Sequence, residues 1–171
     1  MRCWVLFASL AILLSGCGRL AWLRRGGEEL PGPRVGQAAP ELAGEDFNGQ
    51  SVNLRGERGK VVVVVFWASW CAPCRAMIPH ERELAERHRG KPFTIISVNN
   101  DADHDEAREV IAEQRMAWPH VKTAGTRDPI NQRWGVNRWP TMFVIDGDGI
   151  IRARPRTAGE LDAAIDTLLR R

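Results

Sequence analysis

Cys71 and Cys74 stand two residues apart in Trp70-Cys71-Ala72-Pro73-Cys74, directly after the apolar, β-branched run Val61 to Phe66. A buried strand that ends in a short turn delivers the next residues to the amino end of a helix. There, several backbone N–H groups lack intrahelical partners and favour negative charge. A thiol in that place ionises more readily than a free one, moving from about 8.5 into the roughly 3.5 to 7.5 range of comparable motifs. Cys71 is therefore the candidate nucleophile. Cys74, one turn further on, is the candidate resolving thiol, placed to attack a mixed disulfide on Cys71 and release the partner. Pro73 suits the first helical turn, because it gives up only an N–H that would be unpaired there and it fixes a helical φ. The chemistry is dithiol-disulfide exchange, with the Cys71–Cys74 pair as its own redox centre and no added cofactor.

Two other readings compete for the same spacing. Cys-x-x-Cys is also half of a zinc site, and His80, His88, His104 and His120 are present, but no second Cys-x-x-Cys or His-x-x-x-His pair completes a tetrahedral set. No metal is expected. A purely structural disulfide would close a very short loop, which stabilises little compared with a long-range crosslink.

The elements that must position this pair fit one domain. The chain has 171 residues, 44% hydrophobic and 26% charged, enough for a single full core with a short amino-terminal extension. The formal net charge is +3, with Lys and Arg scattered among Asp and Glu, so nucleic acid gains no support as a partner.

Arg2 precedes an apolar stretch from Trp4 to Leu14, followed by Leu14-Ser15-Gly16-Cys17, a pattern of small residues leading to a cleavage point. The tetrapeptide resembles the lipobox of bacterial lipoproteins, which implies lipidation of Cys17 and a stable membrane anchor. An uncleaved transmembrane helix is the rival. The apolar run is well short of the roughly 20 residues a bilayer needs, Arg19 interrupts any extension, and Arg24 and Arg25 lie on the wrong side of it for an exported domain. A simple secretory signal is the third possibility, and all three export the domain. Cys3 falls in the signal, so the mature domain keeps only Cys71 and Cys74, an even count suited to an oxidising compartment. The expected organisation is a signal over 1–16, a flexible tether over 17–39 rich in Gly, Pro, Arg and Glu, and a folded domain over 40–171.

Within the domain, Glu41 to Phe47 and Ser51 to Leu54 flank Asn48-Gly49, the signature of a tight hairpin. Val61 to Phe66 reads as a central strand covered on both faces. A helix opens at Cys71 and runs to about His88, kinked at Pro79. Phe93 to Val98 is the next strand. Asp103 and Glu106 predict a cap for a helix ending near Met116, and Asp128 to Trp134 predicts a shorter one with Pro129 in its first turn. Thr141 to Ile145 and Ile150 to Ala153 flank Asp146-Gly147-Asp148-Gly149, a second hairpin. Thr157 and Glu160 form a capping box ahead of Leu161, Ala164, Ile165, Leu168 and Leu169, which share one helical face. This order describes an α/β fold: a central mixed sheet flanked by helices, with an added amino-terminal β-hairpin.

From about Val35 to Leu169 the chain resembles the TlpA-like and ResA-like branch of the thioredoxin superfamily, membrane-tethered thiol-disulfide oxidoreductases. Three segments carry the likeness: Phe66 to Cys74 with Pro79, Gly135 to Thr141, and the hairpin region Pro40 to Lys60. The resemblance implies a thioredoxin-like fold and a cis Trp139–Pro140 bond packed against the two sulfurs, so Pro140 joins Cys71 and Cys74 as a catalytic-site residue. It also implies that Trp70, Ala72, Pro73 and Trp139 form the substrate surface, with backbone beside Trp139 pairing to an extended segment. Trp67, alternating with Phe66 along the strand, is expected in the core. The implied partners are a protein disulfide or an apocytochrome, a membrane electron donor and, through Cys17, the membrane itself. The implied location is the cell envelope or periplasm, and disulfide reduction is the implied direction.

Two positions depart from that pattern. Val65 stands where minimal thioredoxins place a buried carboxylate, and Met77 where ResA-like proteins carry a Glu. Water, Glu81 or Glu83 are the substitutes for taking the Cys74 proton, although both glutamates read more readily as a solvated helix face. A non-catalytic, thioredoxin-shaped binding module is therefore one alternative. A peroxiredoxin-like peroxidase is another, weakened because Ala68 stands where a Thr or Ser would be needed.

Overall fold

A computed structural model describes residues 32–170. Cys3, Cys17, the expected signal and the tether as far as residue 31 lie outside them. In chain order the elements are β1 (Ala43–Glu45), β2 (Ser51–Asn53), β3 (Val61–Trp67), α1 (Ala72–Arg87), β4 (Phe93–Asn99) and α2 (Asp105–Glu113). They continue with β5 (His120–Lys122), α3 (Pro129–Trp134), β6 (Thr141–Ile145), β7 (Ile151–Ala153) and α4 (Ala158–Leu169).

β3 is the centre of a five-stranded sheet ordered β5-β4-β3-β6-β7, and all seven of its residues are buried. Its β-branched run leaves no solvent face, as a strand covered on both sides requires. β4 pairs with it in parallel and β6 antiparallel, so the sheet is mixed. Alternation splits its side chains. Val61, Val63, Val65 and Trp67 face a core shared with Ile78 and Leu84 of α1, Val110 of α2 and Leu161 and Ile165 of α4. Val62, Val64 and Phe66 face Leu42, Val52, Ile130, Trp134 and Phe143 on the other side. Phe66, Trp134 and Phe143 form an aromatic triad there, with ring centres 4.9 to 6.1 Å apart. Trp67 is in the core, as alternation predicts.

β1 and β2 form a separate antiparallel pair, closed by a turn in which Asp46 accepts from the backbone of Asn48 and Gln50 and Gly49 takes φ +77°. The expected hairpin is therefore present, though shorter than its flanking apolar residues predicted. α4 carries the expected capping box: Thr157 Oγ1 accepts from Glu160 N, while the Glu160 carboxylate accepts from Arg156 N at 2.8 Å. α3 opens on Asp128, whose side chain accepts from Ile130 N, and closes on Gly135 at φ +62°.

Three differences from the sequence expectation have local causes. The α2 helix ends at Glu113 rather than near Met116, because Arg115 turns to φ +52° and breaks the ladder. It starts at Asp105, with Asp103 Oδ1 accepting from Asp105 N and no side-chain cap from His104. A strand not foreseen, β5, adds to the sheet edge. With only three residues, two of them His120 and Lys122, it carries no period to read. Residues toward the end of the expected tether are tied down. Gly36 N donates to Ile151 O, Ile151 N to Gln37 O, and Ala39 N to Gly149 O, so this segment lines the β7 edge.

Candidate active site

The parallel register of β3 on β4 ends at Trp67 opposite Asn99, and the antiparallel register of β3 on β6 ends at Phe66 opposite Thr141. Three chain segments therefore meet at one end of the sheet: Ala68 to Cys74, Asn99 to Asp101, and Trp139 to Thr141. The dithiol lies in the first. Cys71 is the amino cap of α1, with extended backbone, and its Sγ accepts from Cys74 N at 3.2 Å. The same N–H, aimed at a Cys71 thiolate in the reduced state, stabilises the negative charge. The sulfurs are joined in a disulfide, with Cα atoms 5.2 Å apart. Pro73 occupies the first turn of α1, and Pro79 lies within the helix.

Accessibility is asymmetric and narrow. Cys71 is 5% exposed and Cys74 2%, so attack from outside reaches Cys71 first. Around them the surface is open: Ala72 and Pro73 are exposed and Trp70 is 56% exposed. The ring of Trp70 meets that of Trp139 edge to face, with centres 5.6 Å apart, and Trp139 is half-buried. The Trp139–Pro140 bond is cis, and Thr141, paired to Phe66, holds Pro140 against the carboxyl end of β3. Trp139 also packs against the core cluster that contains Cys71 and Cys74.

Behind this surface lies a buried polar network. Asp101 accepts from Ser69 N at 2.9 Å and from Ser69 Oγ at 2.8 Å, and Asn99 Nδ2 donates to it at 2.5 Å. These bonds pin the turn between β3 and the first cysteine. Asn100 Oδ1 accepts from Trp139 Nε1 at 2.6 Å, while its Nδ2 donates to Thr123 Oγ1 and Asn131 Oδ1, each at 3.0 Å. The rim tryptophan is thereby fixed from within. Sequence reasoning missed Ser69, Asn99, Asn100, Asp101, Thr123 and Asn131. A usable signal existed: three polar residues follow the apolar strand Phe93 to Val98 without a break.

Val65 is buried and offers no proton acceptor, and Met77 packs at the edge of the same core. Glu83 is exposed, but Glu81 is not on a solvated face, which corrects the expectation. It is 3% exposed, on the inward face of α1 with Cys74, Ile78 and Leu84, and it has no hydrogen-bond partner among the described residues. The spacing Cys74, Ile78, Glu81 follows the helical repeat, and the short buried set left no pattern that a charged residue would break visibly. Burial pushes the Glu81 carboxyl up to about 8. It stands roughly two turns from Cys74, about 10 Å along the helix, too far for direct proton transfer. Two more buried atoms in this region lack partners, Trp67 Nε1 and His120 Nδ1. Burial pushes His120 down to about 4, against the opposing bond from its ring to Met116 O. Among the described residues no group of three or more His, Cys, Asp and Glu side chains is arranged to hold a metal, and no helix is long and apolar enough to cross a membrane.

Comparison with known proteins agrees with this geometry. The Redoxin family profile matches residues 34–168. The thiol:disulfide interchange protein HelX of Rhodobacter capsulatus is 33% identical over 164 residues, covering 90% of this chain and 88% of that one. The thiol-disulfide oxidoreductase ResA of Bacillus cereus is 29% identical over 116 residues, 68% of this chain and 66% of ResA, so the match spans just under two thirds of that relative. Among solved structures, a thiol:disulfide interchange protein DsbE of Chlorobium tepidum superposes with a TM-score of 0.72 at 29% identity, covering 80% of this chain and 98% of that one. The thioredoxin domain of a Bacteroides vulgatus thiol-disulfide oxidoreductase gives 0.75 at 25% identity, covering 80% and 99%. A helix-capping dithiol beside a cis-proline, on a thioredoxin-like sheet with an extra amino-terminal hairpin, agrees with the profile match over most of the chain: the chain belongs to the Redoxin family.

Proposed function

We propose that this chain is a membrane-tethered, extracytoplasmic protein-disulfide reductase acting on protein or apocytochrome disulfides. The observation that carries the exchange chemistry is the Cys71–Cys74 disulfide at the mouth of α1, with Cys71 the slightly less buried residue. In the reduced state the Cys71 thiolate attacks one sulfur of the partner disulfide. That S–S bond breaks, a Cys71–partner bond forms, and the departing thiolate takes a proton. Cys74 then loses its proton and attacks the Cys71 sulfur, expelling the second partner thiolate. Two electrons pass to the partner and the Cys71–Cys74 disulfide remains. A membrane electron donor returns the pair to the dithiol. Water takes the Cys74 proton, since Val65 and Met77 provide no carboxylate and Glu81 lies two turns away.

The cis Trp139–Pro140 turn and the Trp70 rim support docking of an extended segment beside Cys71. The lipobox-like Leu14-Ser15-Gly16-Cys17 supports the anchor. Alkylation of reduced protein against pH tests the first step, with a midpoint well below the ordinary value of about 8.5 expected for Cys71. A Cys74→Ser variant mixed with a disulfide-bonded peptide accumulates an adduct that dithiothreitol dissolves. An unperturbed titration with no adduct overturns the catalytic reading in favour of a binding module. Equilibration with glutathione tests direction: a potential nearer about −270 mV than about −120 mV marks a reductase. Loss of the protein from the membrane fraction in Cys17→Ala tests the tether.

A further inference from the structure

A groove of about 360 Å³ opens beside the cis bond, and Arg138, Pro140, Thr141, Arg154 and Arg156 are among the residues lining it. The three arginines come from two separate segments. Arg138 precedes β6, while Arg154 and Arg156 follow β7. β6 and β7 pair antiparallel, with Val144 opposite Ala153, so the start of one and the end of the other leave the sheet together. That end is the one where β6 meets the carboxyl terminus of β3, next to the dithiol.

Three like charges converge on this groove. Arg154 is half-buried, with Cζ 5.0 Å from the centre of the Phe143 ring. Its burial, with the charges of Arg138 and Arg156 beside it, lowers its pKa. Neither Arg154 nor Arg156 has an ion-pair partner among the described residues. The carboxylate nearest in sequence, Glu160, is occupied by the backbone N–H of Arg156 at 2.8 Å. Holding the guanidinium groups of Arg154 and Arg156 together in this way costs Coulomb energy, which an anion in the groove offsets. Their planar forks suit carboxylates held by two parallel bonds. Pro140 forms one wall, so whatever fills the groove continues directly onto the surface beside Trp139.

We propose that this groove is a specificity subsite for a stretch of Asp and Glu side chains lying a few residues from the partner cysteine that Cys71 attacks. It deepens the oxidoreductase reading and rests on it. The acidic stretch neutralises Arg154 and Arg156 while the disulfide is delivered past Pro140.

Stopped-flow tryptophan fluorescence on the reduced protein tests this. The probes are two disulfide-bonded peptides of equal length, one with four acidic residues beside the cysteine and one with Asn and Gln there. At low salt the acidic peptide reacts about five- to ten-fold faster, and the ratio falls toward one as salt rises. Arg154→Gln with Arg156→Gln brings the ratio below about two. Because Arg154 also packs on Phe143, the exposed single change Arg156→Glu provides a fold-sparing second test and lowers the ratio in the same way. Arg89→Gln, at the far end of α1, keeps it. Equal rates for the two peptides in the unaltered protein, or a ratio indifferent to both groove variants, overturn the subsite while exchange itself stands. If neither peptide is exchanged, the oxidoreductase reading falls and the subsite falls with it.

Discussion

The polar groups buried at the dithiol end of the sheet satisfy one another, whereas those buried beneath α1 and β5 stand partly alone. Ser69, Asn99, Asn100, Asp101, Thr123 and Asn131 are linked by hydrogen bonds of 2.5 to 3.2 Å. Among the described residues Glu81 has no hydrogen-bond partner, and Trp67 Nε1 and His120 Nδ1 have none either. A fully paired network in a low-dielectric interior fixes geometry, and here it fixes the turn before Cys71 and the ring of Trp139. Unpaired titratable groups fix nothing; they make stability depend on pH. One region is built to hold still, and the other carries a cost that protons control.

The largest effect expected comes from breaking the paired region. Asp101→Ala leaves Ser69 and Asn99 with buried, unmet hydrogen-bonding groups and should lower unfolding free energy by about 3 kcal/mol, read by urea denaturation. The exchange rate should fall with it, because the turn before Cys71 is released.

Removing the lone carboxyl should do the opposite. Glu81 has a folded value of about 8 against 4.5 unfolded. Between those values the unfolded chain has lost the proton that the folded chain keeps, so stability falls as pH rises from 4.5 toward 8, by up to about 1.4 kcal/mol per unit. Glu81→Leu should therefore stabilise the protein by roughly 2 kcal/mol at pH 8 and abolish that slope. An alkaline limb that survives the substitution would assign it to another group.

His120 works from the acid side. With a folded value of about 4 against 6.5 unfolded, it remains neutral while the unfolded chain takes up a proton, so stability falls as pH drops through that window. The two slopes oppose each other between 4.5 and 6.5 and leave a plateau there. His120→Phe should remove the acid limb, a gain of about 1 to 2 kcal/mol at pH 5, seen in thermal melts across pH. The smallest effect probes the link between network and rim. Trp139→Phe deletes the bond to Asn100 Oδ1 and should cost about 1 kcal/mol, with a modest loss in exchange rate.

The contrast also marks where sequence reasoning succeeded. Val61 to Phe66 announced a central strand because an unbroken β-branched run has only one stable place, and Cys71-Ala72-Pro73-Cys74 announced its site because helix-end chemistry is local. Thr157 with Glu160 and Asp128 with Pro129 marked helix starts for the same reason. β5 was illegible, since its place at the sheet edge comes from pairing with β4 and not from its own three residues. Glu81 was misplaced because its burial depends on what α1 packs against. The clamp of Asp101 on Ser69 spans a helix and a strand, a distance no local spacing encodes.

By itself the sequence determined the dithiol, its helix-opening position and the order of the main elements. Each depends on neighbours within a turn or two, where backbone hydrogen bonding and side-chain period act directly. Only the tertiary structure decided which polar groups are paired, that Glu81 lies inside, and that Arg138, Arg154 and Arg156 share one groove at Pro140. The pairing and the groove follow from the registers of β3 on β4 and of β6 on β7, which bring distant residues to the same end of the sheet, and the place of Glu81 follows from the packing of α1.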